Sequence, residues 1–396
     1  MDSALSSEFR FRSQARMPWP LLAAASLAMF TAAASGTTRA PFLIDMARDL
    51  STSVPFVANL MAMTSVAWGL SAMVAGAASD RWGRRPLLVG GPIALAGASA
   101  GIATAADLFE AAIWFAVAGA CCGTFTGPVF TEVSRRVSSG QQGRALGWVM
   151  SGQSLTLLVG VPLAAWIGAG IGWRGVSLCV AALAVLTALC LFATTTRGRD
   201  TGQGHAGRVP SMRAALSGPV LRLLSMGVAE RICYGLVAVY FATFLQSTFD
   251  LTVDAVALPL AVFAVGNIVG TVFGGQLADR LPHRLGIFAT TMLASGVAAL
   301  ALFGWRMDLI ATIGLGFVYV FFNAIARPSL MASLGDVPEH VRGTVMGLNV
   351  TCSSLGWLGA AGLGGWMIAS YGFTGFGPLT MGVATVSAGL ALVRRF

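Results

Sequence analysis

The sequence predicts an all-α membrane protein of twelve transmembrane helices in two pseudo-symmetric six-helix bundles. Three observations predict it: the composition, a long internal repeat and the positions of the arginines. Of the 396 residues, 56% are apolar and only 10% are charged, and the mean hydropathy is +0.76. Soluble domains carry about 25% charged residues, so a chain this poor in charge is expected in a lipid bilayer.

The chain repeats itself at an offset of about 200 residues. The segment Gly76–Arg85 recurs as Gly275–Arg284, and Gly172–Gly175 recurs as Gly372–Gly375. Each copy is too long for a solenoid repeat. Parallel halves of this size in a hydrophobic chain are typical of transporters, whose binding site lies between the halves.

Twelve stretches are apolar enough and long enough, at about 20 residues, to cross a bilayer. They lie near 18–48, 53–77, 86–106, 109–132, 143–169, 173–195, 219–246, 253–277, 285–305, 309–331, 342–369 and 373–393. A long polar stretch separates the sixth span from the seventh. We therefore divide the chain into a first bundle (1–195), a cytoplasmic linker (196–217) and a second bundle (218–396).

The first span follows three arginines and contains Ala32-Ala33-Ala34, a pattern that also suits a cleaved signal peptide. The apolar run is longer than a typical signal sequence, and many spans follow it. We therefore predict an uncleaved first helix.

Arginine supplies all 25 basic residues, and its distribution predicts the orientation. With the N-terminus inside, 19 arginines are cytoplasmic and only Arg48, Arg174 and Arg306 face outward. This bias predicts an inner-membrane protein with both termini in the cytoplasm. It also accounts for the net charge of +9 without a nucleic-acid partner.

The loop between spans 2 and 3, Gly76-Ala-Ala-Ser-Asp80-Arg81-Trp82-Gly83-Arg84-Arg85-Pro86, resembles the signature loop of the major facilitator superfamily. Gly160-Val161-Pro162 in span 5 resembles the twelve-span drug:proton antiporter branch, especially its sugar-efflux-like members. This resemblance implies the major facilitator fold and proton-coupled transport. At the position of the span 4 arginine found in that branch, this chain has Phe115, four residues before Gly119.

The resemblance implies a conformational latch at the cytoplasmic side. Asp80 is expected to accept hydrogen bonds from the free amides that begin span 11 near Gly343, and Arg84 to pair with Glu132. Alternatively, the arginines of the loop only set the orientation. The predicted latch residues are Gly76, Asp80, Arg84, Arg85, Glu132 and Asp279.

Four charged residues fall inside spans: Arg39 on span 1, Glu230 and Arg231 on span 7, and Arg327 on span 10. A charge at the bilayer centre costs about 2.5–3.5 kcal/mol on insertion scales, so it normally faces water, a partner or a substrate. In this fold, spans 1, 4, 7 and 10 line the central cavity. Polar residues three or four positions away lie on the same helix face as these charges and form a polar stripe with them. The predicted substrate-cavity residues are Thr31, Ser35, Arg39, Arg231, Tyr234, Tyr240, Tyr319, Asn323 and Arg327.

Glu230 is the predicted proton carrier, with Asp45 and Asp49 as second choices. Several alternatives are open. Arg39 and Arg327 can snorkel to the membrane surfaces, and Glu230 can form a structural ion pair with Arg327. Glu230 and Arg231 point about 100° apart on a helix, which disfavours a pair between them.

We predict a secondary transporter that exports a small organic solute in exchange for protons, working by rocking of its two halves as a monomer. Three arginines against one glutamate favour an anionic or polar solute. The alternatives are uptake or exchange of an organic anion and, more remotely, a sensor without transport. We expect no enzyme, metal or cofactor, because the sequence has no nucleophile–base set, phosphate loop or metal-ligand spacing.

Overall fold

The computed structural model describes residues 17–137, 141–195, 217–281, 283–305, 307–337 and 339–393. Within these ranges, the side chains of 76, 77, 80, 82, 142, 143, 335, 339–344, 346 and 347 are not described. Every secondary-structure element of the described part is helical, which confirms the predicted fold class. The boundary predicted at 196–217 lies almost wholly outside the described residues.

The helices of the first half are α1 Trp19–Thr37, α2 Val54–Trp82, α3 Arg84–Thr104, α4 Leu108–Arg136, α5 Gln142–Leu155 and α6 Val161–Thr194. Those of the second half are α7 Gly218–Phe249, α8 Ala257–Arg280, α9 Arg284–Gly304, α10 Leu309–Gly335, α11 Glu339–Tyr371 and α12 Phe376–Leu392. Shorter elements are a 3₁₀ turn (Ala40–Phe42) and a helix (Leu43–Asp49) after α1, a π turn (Thr156–Gly160) between α5 and α6, and a 3₁₀ turn (Gly372–Gly375) before α12.

Each half contains one long helical stretch that is broken at a glycine. Arg144–Thr194 has 51 residues and Leu348–Leu392 has 45, about twice what one crossing needs. Gly172 breaks the first with φ 68°, and Gly372 breaks the second with φ 65°, a region that side chains disfavour. The repeat predicted from the sequence is therefore present in the backbone. With each broken stretch counted as two, the ten membrane-length stretches found among the described residues give twelve crossings.

The fifth span changes its helical winding at Pro162. The backbone N–H of Val161 donates to the carbonyl of Thr156, five residues earlier, and Pro162 has no N–H to continue the usual ladder. Thr156 Oγ1 also donates to the carbonyl of Phe30 on α1 at 3.0 Å. The π turn and the beginning of α6 then pack against α8 of the second half.

Glycines allow the closest helix contacts. Gly119 and Gly123 place α4 directly against α2, and Gly270 and Gly274 place α8 directly against α10. An ideal Cβ at Gly119 would lie 2.1 Å from the carbonyl oxygen of Thr64. Small residues of this kind let backbones approach in a bilayer, where packing drives helix association.

Replacement of Gly119 with alanine is expected to destabilise the first half, because the added methyl group collides with backbone that cannot rotate away. Overpacking of this kind costs about 1–3 kcal/mol. The measurement is the thermal midpoint of the purified protein in detergent. Gly127→Ala on the same helix is the control, because its Cβ would meet nothing within 4 Å. Equal midpoints for the two variants would contradict the close α2–α4 contact.

The bundle has two ends, which we call the linker end, where α6 ends and α7 begins, and the opposite end. The two halves meet in three places. Helix α2 packs against α11, the π turn and α6 pack against α8, and the 3₁₀ turn after α1 contacts α7. Gln246 Nε2 on α7 donates to the carbonyl of Pro41 at 2.8 Å, and Gly365 on α11 lies against Pro55 at the start of α2. These contacts join the halves at the opposite end.

Candidate functional site

Glu230 and Arg231 on α7 form a buried ion pair. Arg231 Nε donates to Glu230 Oε2 at 2.7 Å, and Arg231 Nη2 donates to Glu230 Oε1. The two side chains are 2% and 7% exposed. Both oxygens of the only carboxylate placed well inside a span are therefore bound by one guanidinium.

This pair corrects the prediction that the two neighbours point too far apart to interact. The angle of about 100° separates the Cα–Cβ directions, but the long arginine stem brings the guanidinium back over its neighbour. Gly356 on α11 contributes, because an ideal Cβ there would lie 2.3 Å from Arg231 Cβ. The missing side chain leaves room for the stem of Arg231 between α7 and α11.

Aromatic rings surround the ion pair. The Arg231 guanidinium carbon lies 4.7 Å from the centre of the Tyr234 ring, a cation–π distance. Tyr234 meets Trp357 of α11 edge-on at 5.8 Å and Phe263 of α8 at 6.3 Å. Asn267 Nδ2, also on α8, donates to Tyr234 Oη at 3.5 Å. The cluster therefore joins α7, α8 and α11 of the second half.

Arg327 on α10 completes this charged cluster. Its side chain is exposed, and it lies close enough to Arg231 and Glu230 for both charges to act on it. It lies about 12 Å along α10 from Gly335 at the linker end, and Glu230 lies about 18 Å along α7 from Gly218. The charges of both α7 residues therefore act on Arg327.

The polar stripe of α1 is buried within the first half in this conformation, and its place in a cavity between the halves stays a prediction. Arg39 is 1% exposed; its Nε donates to Ser177 Oγ of α6 at 3.0 Å, and Nη1 donates to the Ser35 carbonyl. The guanidinium lies 5.1 Å from the Phe115 ring centre on α4. Thr31 Oγ1 shares a hydrogen bond of 2.7 Å with Thr187 of α6. The stripe faces α4 and α6 because those helices, rather than the second half, lie across from it.

Three further predicted cavity residues are buried within the second half. Tyr240 Oη donates to the Ala361 carbonyl at 2.8 Å, and Tyr319 Oη donates to the Cys233 carbonyl at 2.5 Å. Asn323 is fully buried, and its Nδ2 lies 3.9 Å from Met292 Sδ. Each is already satisfied by, or packed against, its own half. In this conformation the three side chains are buried, and their role as cavity-lining residues stays a prediction.

The predicted latch residues give a mixed result at the linker end. Arg84 Nη1 lies 4.0 Å from Glu132 Oε2, as predicted, but Arg136 Nη2 is closer to Glu132 Oε1, at 2.5 Å. Arg85 instead donates to the Phe192 carbonyl at 3.3 Å. The side chains of Asp80 and of the residues around Gly343 lie outside the described part, as do the contacts of Gly76.

In the second copy of the loop, Asp279 is exposed and lines an open surface pocket with Arg284 and Asp336. Arg284 Nη1 pairs with Asp336 Oδ2 at 2.7 Å, a contact that the sequence prediction missed. It also missed Asn267, Trp357 and Gln246. The isolated amides of Asn267 and Gln246 in apolar spans were the signal that could have identified them.

Comparisons with known proteins agree with this architecture. The family model described as Major Facilitator Superfamily matches residues 25–255 and 223–396. The chain is 27% identical to a chloramphenicol resistance protein of Streptomyces lividans, over 86% of this chain and 90% of that protein. It is 30% identical to the inner membrane transport protein YdhP of Escherichia coli strain K12, over 69% of each.

Among solved structures, the chain is similar to a bacterial homologue of the human lysosomal transporter Spinster in an inward-facing, unoccupied conformation. The TM-score is 0.71, with 17% identity and 96% of each chain covered. At this identity the likeness shows a shared fold.

Proposed function

Because this chain belongs to the Major Facilitator Superfamily, we propose that it exports a small organic solute in exchange for protons by alternating access. The family makes it a multi-pass membrane transporter. Export, the coupling to protons and the cavity residues are our proposal.

One observation carries the proposal: the halves are joined at the opposite end, while Arg327 is exposed within its span on α10. Gln246 and Pro41 connect α7 to the turn after α1 at the opposite end. Gly127 on α4 and Arg327 on α10 occupy equivalent positions of the repeat, and both are exposed. This combination supports a cavity that opens toward the linker end between α4 and α10.

The arginine distribution supports a cytoplasmic linker end. Of the 25 arginines, 19 fall in segments that this orientation places inside. The open cavity then faces the cytoplasm, the side from which an exporter loads its solute. Rocking of the two halves would close this side and open the other.

Glu230 is the residue that we propose to carry the proton. It is the only carboxylate of the second half that lies well inside a span, and both its oxygens accept hydrogen bonds from Arg231. A proton on Glu230 must displace these charge-assisted bonds. Protonation therefore releases Arg231 and changes the charge distribution of the cavity.

The relatives support export over uptake. A protein named for chloramphenicol resistance aligns with most of this chain, and resistance by a membrane transporter fits removal of the drug from the cell. YdhP is named as an inner membrane transport protein, which supports the same membrane.

Inverted membrane vesicles provide the test. After the interior is acidified, addition of an exported solute is expected to release protons, which a pH-sensitive quenched dye reports. Chloramphenicol, benzoate and benzamide are the probes, and vesicles without the protein are the control. Movement of protons into the vesicles together with the added solute, instead of proton release, would contradict export by antiport and favour uptake by symport.

A further inference from the structure

We infer that the transported solute is an organic anion whose carboxylate, or an equivalent oxyanion, binds the guanidinium of Arg327. This inference rests on the proposed function and adds to it the chemical class of the solute and the residue that recognises it.

The charges of the cluster do not balance. Glu230 neutralises Arg231 through two hydrogen bonds, so the positive charge of Arg327 is left over. The other carboxylates of the second half lie at helix ends or in connections: Asp250, Asp254, Asp279, Asp308, Asp336 and Glu339. A cation inside a membrane span normally faces water, a partner or a substrate, and a negative ligand stabilises it.

Arg327 is the exposed one of the three intramembrane arginines, whereas the unpaired Nη2 of Arg39 is buried. Arg39 is enclosed in the first half by Ser177, the Ser35 carbonyl and Phe115. Arg231 directs its donors to Glu230 and its face to Tyr234. By contrast, Arg327 makes no hydrogen bond or ion pair with any residue whose side chain the structure describes. Its fork of N–H groups fits a carboxylate in bidentate geometry.

Repulsion between the two arginines strengthens the argument. The charges of Arg231 and Arg327 act on each other, and Arg327 also acts on Tyr234. An anion placed at Arg327 relieves the repulsion between the two arginines. Trp357 and Asn267 are half-buried, so an apolar ring and an amide are partly accessible beside the charge.

Benzoate and its neutral isostere benzamide test the charge class directly. Binding to the purified protein in detergent is measured from the dose dependence of the thermal midpoint. We expect benzoate to bind at least tenfold more tightly than benzamide, because charge-assisted hydrogen bonds are about twice as strong as neutral ones. Equal affinities for benzoate and benzamide would overturn the inference. So would an unchanged thermal midpoint up to the solubility limit of both ligands. Both outcomes are read on the unmodified protein.

Variants of Arg327 test whether this residue binds the carboxylate. Arg327→Gln is expected to remove the preference for benzoate, and Arg327→Lys to retain a reduced preference, since lysine keeps the charge but not the fork. Arg222→Gln is the matched control: it removes one arginine of α7 that bonds the Val393 carbonyl near the linker end. Full benzoate preference in Arg327→Gln would refute the assignment to Arg327.

The assay separates this inference from the proposed function, because it needs no pH gradient and no transport. Selective benzoate binding through Arg327 without proton release in vesicles would refute proton-coupled export alone. Proton release driven by neutral solutes, with no benzoate preference, would refute the anion assignment alone.

Discussion

The Glu230→Gln protein is expected to lose proton release while still exchanging solute between the two sides of a vesicle. Glutamine has nearly the same shape but cannot take up a proton between pH 5 and 8. We expect solute-driven proton release to fall at least tenfold. Counterflow of labelled solute without a pH gradient is expected to continue, because it requires rocking but no net proton movement.

Two further variants make this result interpretable. Asp250→Asn removes a carboxylate from the exposed end of α7, where φ is 53° and asparagine is well tolerated, so proton release should be unchanged. Glu230→Gln also leaves Arg231 buried without its partner, which costs about 3–5 kcal/mol. The double variant Glu230→Gln/Arg231→Gln removes both charges and should recover stability without recovering proton release. Full proton release in either glutamine variant would contradict the role of Glu230.

A disulfide between Pro55→Cys and Gly365→Cys is expected to stop transport completely and reversibly. An ideal Cβ at Gly365 lies 2.8 Å from Pro55 Cβ, so a movement of about 1 Å gives the separation that a disulfide requires. The bond would hold α2 and α11 together at the opposite end, which must open for the solute to leave.

The experiment uses a background in which the six native cysteines are replaced. Transport is expected to fall to the level of empty vesicles after oxidation and to return after reduction. Pro55→Cys/Gly362→Cys is the matched control, because the Cβ at Gly362 meets nothing within 4 Å and no bond should form. Continued transport in fully cross-linked protein would show that the halves need not separate at this contact.

The fold was predictable because its signals are local or repeated. Apolar stretches of membrane length need no tertiary information, and the constant offset between copies predicted equivalent breaks at Gly172 and Gly372, which the backbone shows. The Arg84–Glu132 contact was also predictable, since it joins the ends of adjacent helices at one membrane surface.

The site was harder to predict because it depends on which helix lies opposite each polar face. The spacing of Thr31, Ser35 and Arg39 correctly groups them on one face of α1. It contains no information that α4 and α6 cover this face. The guanidinium of Arg39 lies over the ring of Phe115 on α4. Sequence therefore gives the polar face, and packing decides whether solute can reach it.

The pairing of two consecutive residues has a consequence for energy coupling. Because Glu230 and Arg231 belong to one turn of α7, they travel together whenever the second half rotates as a rigid body. An ion pair between the two halves would be broken by that rotation. The Glu230–Arg231 pair lies within one half, so the rotation leaves it intact. Protonation of Glu230, or an anion that competes for Arg231, would separate the two groups, whereas a rigid rotation of the half would not.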